Sequence, residues 1–464
     1  VSYIRSYVFN TKAGTMNVPN PLIAGAKDLT LPAGSAVYGM SAPPALADPA
    51  KAVAAALENP IQSESFRTIA KRKIKNNADA TAVIVISDNT RPVPYKGEGN
   101  ILVPLIEILL EEGYNKEKID VLIATGTHRP MTDDEIERII DPWVFEQGVA
   151  VINHDCLDES ALTYLGKTER GSEVRISTRY VDADLKVLTG LVESHFMAGV
   201  SGGRKSICPG LISERGTFLF HGADLMGHPE SRDLNLDGNP VHEESTAFAR
   251  MAGADFIINV TLDHAFKITG VYAGDMEAAF QEAYEMVKGY ARIPIVEEAD
   301  VVITHGGFVG INHYQTAKAA FAAIGAMKKD GYLISIANFT DKKDVIGSVM
   351  YKTVLGVLSL SSGEELTRLL HSPDWPFMPD QWQVQKWATV FEKIPLDHYY
   401  HFAPQLEKAK GAGLPGNNIA DLTDSKDFGE AITAALEEIK KREGGRELKV
   451  TYLTDGPYAI PYVK

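Results

Sequence analysis

The sequence predicts an α/β protein made of two Rossmann-like units with mainly parallel sheets and a cleft between them. Three observations carry this expectation. Continuous apolar runs rich in β-branched residues, TAVIVIS (81–87), DLKVLTGLV (184–192) and GADFIINVTLD (253–263), read as strands buried on both faces. Helical stretches fall between such runs, which is the alternation of a doubly wound sheet. Polar residues gather just after several strands, at the carboxyl edge where these sheets hold ligands. With 464 residues the chain exceeds what one core serves, so two units are expected.

Taken in order, the first 45 or so residues have no assignable pattern. An alanine-rich helix (Asp48–Leu57) and a basic helix (Ser63–Lys75) follow. The strand at 81–87 stops at Asp88-Asn89-Thr90-Arg91-Pro92, and a helix is expected over 101–113. KIDVLIATGTHRP (118–130) is a second strand ending in polar residues, and the TDDE start at Thr132 carries helix N-cap chemistry. VAVINHD (149–155) is a third strand, and DLKVLTGLV leads into a long loop. From Ala299 the alternation restarts with ADVVITHGGFVG, a helix over Tyr314–Lys328, the strand GYLISIANF (331–339) and helical stretches to about 410. The helix at 429–443 and the run ELKVTYLTDGPYAIPYV are expected to return to the first unit. The expected division is therefore 1–292 plus 429–464 against 296–428.

Composition narrows the function. The 45% hydrophobic and 23% charged fractions are those of an ordinary soluble α/β enzyme, and no run is long and apolar enough to span a bilayer. The N-terminal VSYIRSYVFNTKAG lacks the layout of a secretory signal. Two cysteines without CxxC spacing exclude a disulfide framework and a structural zinc site, and fit a reducing cytoplasm. A net charge of −15 argues against nucleic acid, so an anionic substrate would need a locally basic site.

The chemistry concentrates in residues 192–229, VESHFMAGVSGGRKSICPGLISERGTFLFHGADLMGHP. Gly202 and Gly203 allow close backbone approach to an anion. Lys205 can serve as a point charge or, when desolvated, as a nucleophile. His195 and His221 flank it as proton carriers or metal ligands. SGGRKS does not match GxxxxGK[ST], so it is not a P-loop, and Cys208 in SICPG reads as a packed thiol. Elsewhere, Arg91 in SDNTRP suits bidentate capture of a carboxylate or phosphate, or closes a turn capped by Asp88. His128 and Arg129 in TGTHRP stand on the same sheet edge. His228, His242 and His264 read as surface or capping residues. Tyr314 and Lys318 share one helix face at i, i+4, either solvated or closing over the first unit's site. Trp375, Trp382 and Trp387 read as core or interface, one of them walling a pocket.

In this order and across both units, SDNTRP, TGTHRPMT, SHFMAGVSGGRKSICPG, FHGADLMGHP and HYQTAK resemble the nickel-dependent lactate racemase family. The resemblance implies an isomerase that inverts the C2 stereocentre of a 2-hydroxy acid by hydride transfer through a 2-keto acid. The substrate would be lactate or a larger acid such as a sugar acid. It implies a nickel-pincer nucleotide (pyridinium-3,5-bisthiocarboxylic acid mononucleotide nickel) covalently attached at Lys205, with Gly202 and Gly203 on the cofactor side, Asp88 supporting the cofactor or positioning Arg91, and His221 as the nickel ligand. His128 and His195 match the acid/base pair, Arg91 the carboxylate clamp, and Lys318, Gln315, Tyr314 and Trp382 the substrate side. Cofactor-synthesis proteins would be partners, with no nucleic acid and no membrane, and a homodimer is expected from the prevalence of twofold symmetry. Two other classes compete: an NAD-dependent oxidoreductase, opposed by the absence of GxGxxG after the first strand, and a non-catalytic nucleotide-binding sensor.

Overall fold

The computed structural model describes residues 9–10, 15–18, 20, 22, 28–263, 265–341, 344–407, 411 and 413–464. His264 lies outside them. Two six-stranded sheets dominate. The first runs Ile268–Gly274, Phe256–Leu262, Leu185–Leu191, Ala82–Ser87, Ile119–Ala124, Ala150–Asn153. All its pairs are parallel except the edge pair of Phe256–Leu262 with Ile268–Gly274. Ala82 through Ile86 are buried without interruption, as expected for a strand covered on both faces.

The chain moves outward from Ala82–Ser87 through Ile119–Ala124 to Ala150–Asn153, then returns to place Leu185–Leu191 on the other side of the first strand. That reversal is a topological switch point, where the loops leaving two adjacent strands diverge and open a crevice. The loop beginning at Asp88 leaves one strand and the loop beginning at Val192 leaves the other.

The second sheet runs Asn417–Asn418, Tyr399–Phe402, Met327–Ile336, Ala299–His305, Val450–Leu453, Ala36–Tyr38, parallel throughout. This corrects the expected division. Residues 429–464 do not return to the first sheet. Val450–Leu453 pairs with Ala299–His305, and Phe428, Ile432 and Ile439 of the helix Phe428–Arg442 share a core with Val301, Ile303 and Ile334. The physical reason is the open edge of Ala299–His305, whose backbone groups need a partner. Part of the unassigned N-terminal stretch joins the same unit. Leu29–Pro32 pairs with Thr15–Val18, and Met16, Val18, Leu29 and Leu31 are buried in that core.

Local differences are few. The helix expected over Tyr314–Lys328 is His313–Ala322, followed by a 3-10 turn, because the next strand already starts at Met327. Tyr399–Phe402, read within a helical region, is a buried strand. The charged stretch after Asp155 holds the hairpin Leu162–Lys167/Glu173–Ser177. The TDDE start forms a full capping box between Thr132 and Glu135. Among the described residues no helix is long and apolar enough to cross a membrane.

Candidate active site

A cleft of about 140 Å³ lies at the switch point, with the second unit closing over it. Its floor comes from loops that follow the first sheet's strands, and its roof from the helices His313–Ala322 and Gln381–Lys393.

The loop after Ala82–Ser87 supplies a carboxylate and a guanidinium. Asp88 Oδ1 accepts from the Thr90 amide (3.1 Å) and hydroxyl (2.6 Å), and Oδ2 lies 2.7 Å from His128 Nδ1. Burial would push the Asp88 carboxyl up, but the His128 charge and the bonds from His128 and Thr90 outweigh it and hold it at about 2. An ionised Asp88 only accepts, so His128 Nδ1 carries the proton of this bond and Nε2 is left facing the cleft. Both Asp88 oxygens are thus engaged in orienting His128 and the turn. Arg91 donates Nη1–H to the Thr90 carbonyl (3.2 Å), and its Nε is 3.3 Å from Glu193 Oε1.

The second strand's loop delivers His128. Gly126, at φ +57, donates its N–H to the Gly210 carbonyl (3.0 Å), and a Cβ there would meet Pro209 O at 3.2 Å. This close approach docks TGTHRP on ICPG, so His128 and Lys205 face one cleft.

In the long loop, Arg204 is a staple. It is buried, donates to the carbonyls of Ala198 (2.6 Å), Val200 (3.0 Å) and Gly202 (3.3 Å), and lies 4.5 Å over the Phe280 ring. With that loop closed on itself, Lys205 lines the cleft. Burial, then the Arg204 and Arg91 charges, push the Lys205 amine well below the ordinary lysine range. Gly202 also lines the cleft, but Gly203 does not. The Gly203 N–H is taken by Asn259 Oδ1 (3.2 Å), and a Cβ on Gly203 would strike the Phe280 ring at 2.6 Å.

His195 Nδ1 accepts from the Met197 and Ala198 amides, both at 3.3 Å, which leaves the ring proton on Nε2. Burial pushes its imidazole well down, aided by Lys205, Lys318 and Arg91. His221 is buried, stacks on Trp382 with centroids 4.4 Å apart, and its Nδ1 has no hydrogen-bond partner. Burial and the Lys205 charge keep it neutral. From the second unit, Tyr314 Oη accepts from Trp382 Nε1 (3.0 Å), Gln315 is buried with Oε1 unpartnered, and Lys318 faces Arg91. Burial and Arg91 bring Lys318 down to about 7.

Eleven of the twelve residues singled out in the sequence therefore line this cleft, and Gly203 stands outside its lining. Cys208 is fully buried, His228 is exposed, His242 packs on Phe280, and Trp387 is core. Two groups escaped the sequence reading. Glu193 sits inside the ESH motif with nothing local to mark it. Tyr458 comes from the C-terminal turn, where no local signal exists.

The profile of the lactate racemase N-terminal domain matches residues 24–233, and that of the lactate racemase C-terminal domain matches 293–397. The lactate racemase of Lactiplantibacillus plantarum is 31% identical over 407 residues, covering 86% of this chain and 88% of the relative. The chain belongs to the lactate racemase family. The lactate racemase of Thermoanaerobacterium thermosaccharolyticum is 32% identical over 412 residues, covering 87% of this chain and 88% of that one. The solved apoprotein from the same organism superposes with a TM-score of 0.78 at 27% identity, over 95% of this chain and 99% of the other. Family membership makes the chain an enzyme of the isomerase class, and it bears out both the motif resemblance and the two-unit α/β architecture.

Proposed function

We propose that the chain inverts the C2 stereocentre of a 2-hydroxy acid, lactate or a larger acid such as a sugar acid, through a planar 2-keto acid. The observation that carries this is the meeting of two separately held histidines, His128 and His195, with Arg91 and Lys318 in one interdomain cleft. Oxidation at C2 erases the stereocentre, so each enantiomer needs its own group to take or return the hydroxyl proton. His128 Nε2, with Nδ1 tied to Asp88, takes that proton from one enantiomer. His195 serves the other enantiomer; its Nδ1 accepts from two amides and its ring proton sits on Nε2, so taking the hydroxyl proton requires the ring to leave those amides and present its unprotonated nitrogen to the substrate. Arg91 and Lys318 grip the carboxylate while the keto acid turns, and the second unit's helices exclude water from the exposed face.

The residues also fit a nickel-pincer nucleotide. A lysine kept neutral by burial and neighbouring cations is a competent amine for covalent attachment, and Lys205 is one. A buried neutral imidazole with a free nitrogen suits nickel, and His221 supplies it. Among the described residues no three His, Cys, Asp or Glu side chains group to hold a metal, so its other donors would come from the organic ligand. Bound there, the group would accept and return hydride at C2. Cofactor-synthesis proteins and a cytoplasmic location belong to the same proposal.

The test is intact mass of protein produced with and without cofactor synthesis, peptide mapping at Lys205, a nickel assay, and chiral chromatography of lactate and a panel of 2-hydroxy acids. An adduct on Lys205 with racemisation supports the reading. Competent cofactor supply without an adduct overturns the cofactor assignment, and a loaded protein that inverts no 2-hydroxy acid overturns the activity.

A further inference from the structure

Beyond Arg91 and Lys318 the cleft continues into a small recess lined also by Glu193, Asp233, Pro457 and Tyr458. The recess shares Glu193, Ser194 and Tyr458 with a second interdomain cavity of about 90 Å³, so Tyr458 stands at the partition between them. The residue is carried by the turn Gly456–Tyr458, outside both matched domain ranges, and this turn packs against the helix that bears Lys318. Its position is rigid. Gly456 sits at φ +49 where a Cβ would strike the His305 carbonyl at 2.2 Å, and Tyr458 N–H donates to Asp455 O at 3.1 Å.

The Tyr458 hydroxyl is buried and has no hydrogen-bond partner. A buried donor left unmade is costly, and such a group in a cleft has a physical use when a ligand oxygen completes it. Burial, with the Glu193 charge, pushes the phenol well above its ordinary range, so it remains a donor. Glu193 is placed differently. It meets Arg91 at Nε (3.3 Å), while the Thr90 carbonyl takes only one Nη1 hydrogen (3.2 Å), so the rest of the terminal fork stays open.

We propose that Tyr458 is a substrate-binding residue that donates its O–H to an oxygen of the bound 2-hydroxy acid, and that Glu193 is the positioning residue that aims the Arg91 fork at the same anion. The C-terminal turn thereby completes a clamp of Arg91, Lys318 and Tyr458. This rests on the functional reading above and names further members of that site.

The experiment compares holoenzyme of the wild type, Tyr458→Phe and Glu193→Gln in racemisation of the best acid from the panel. Phenylalanine keeps the ring and removes only the donor. A hydrogen bond to a charged acceptor is worth about 1.5–3 kcal/mol, so KM is expected to rise about 10- to 100-fold with kcat within about threefold. Glu193→Gln is expected to raise KM and to move its pH dependence to lower pH. The charged groups facing Lys318 are Arg91 and Asp88 from the first loop, Glu193, His195 and Lys205 from the long loop, and Asp233. Of these, Glu193 is the first carboxylate favouring the ammonium form. Wild type that binds and racemises, with Tyr458→Phe at an unchanged KM, overturns the assignment of Tyr458. An unshifted pH profile in Glu193→Gln overturns that of Glu193. Wild type that racemises nothing after loading fails the functional reading instead. If Tyr458→Phe melts early, its KM is read at a temperature where circular dichroism shows it folded, an unchanged KM there being the overturning result.

Discussion

Replacing Asp88 by Asn tests the proton-transfer arrangement directly, because the substitution keeps shape and removes charge. Asp88 is 5% exposed and lies 2.7 Å from His128 Nδ1. Its carboxyl moves from 3.8 to about 2 although burial opposes the change, which corresponds to about 2 kcal/mol of net stabilisation. The largest favourable contribution is the His128 charge, so much of the same free energy favours the imidazolium that forms when His128 takes a proton. Losing about 2 kcal/mol of it slows the reaction about 30-fold. An amide that turns its NH2 toward Nδ1 would hold the wrong tautomer and forfeit the base altogether, a factor of about 10²–10⁴. The expected fall in kcat/KM is therefore at least 30-fold, measured by chiral chromatography on protein with equal cofactor loading. The interconversion equilibrium belongs to the substrates, so both directions must fall by the same factor. A loss smaller than threefold would refute the role given to Asp88. There is also an acid signature. The folded value lies below the unfolded one, so this stabilisation is complete above about pH 4 and is lost as pH falls toward 2, and the Asn variant should lack that increment in acid unfolding.

Three further outcomes are expected. Lys318 sits at about 7, below the ordinary 10.5, so it is charged below neutrality and neutral above; KM for the anion should rise as pH increases through 7, and Lys318→Arg should flatten that profile between pH 6 and 8.5. The same sign means the fold is penalised increasingly as pH falls from 10.5 to 7. His195→Ala should lower racemisation about 10²–10⁴-fold while mass spectrometry still finds the Lys205 adduct; retention of more than a tenth of the activity would argue against its role. Arg204→Ala removes a buried donor from the Ala198, Val200 and Gly202 carbonyls, of which Ala198 and Gly202 keep a backbone N–H, and should cost about 1–3 kcal/mol, read as a lower urea midpoint; Arg204→Lys should not restore it because an ammonium lacks the planar fork.

What local sequence decided is what local physics decides. The run Ala82–Ile86 is apolar on both faces, and in a chain this long that leaves little but a central parallel strand. Thr132 and Glu135 satisfy orphan amides within one turn, so the helix start is readable from four letters. The site motifs were legible because each loop leaves a strand at the same sheet edge, and the switch point then brings Arg91, His128, His195 and Lys205 together.

Tertiary structure decided the pairings that distance along the chain hides. VTYL at 450–453 suits either sheet by pattern, and only the open edge of Ala299–His305 assigns it to the second. Gly203 reads like Gly202 in sequence, yet Phe280, brought by a helix some 75 positions away, occupies the space beside it. Asp88 next to a strand end looks like a cap or a ligand until the docking of Gly126 on Gly210 sets His128 against it. Glu193 gains meaning only when the first sheet's loops set Arg91 against it, and Tyr458 only when the C-terminal turn reaches the recess beside them. Periodicity and turn chemistry act over a few residues, whereas a free strand edge or an unpaired buried hydroxyl is a property of the assembled surface.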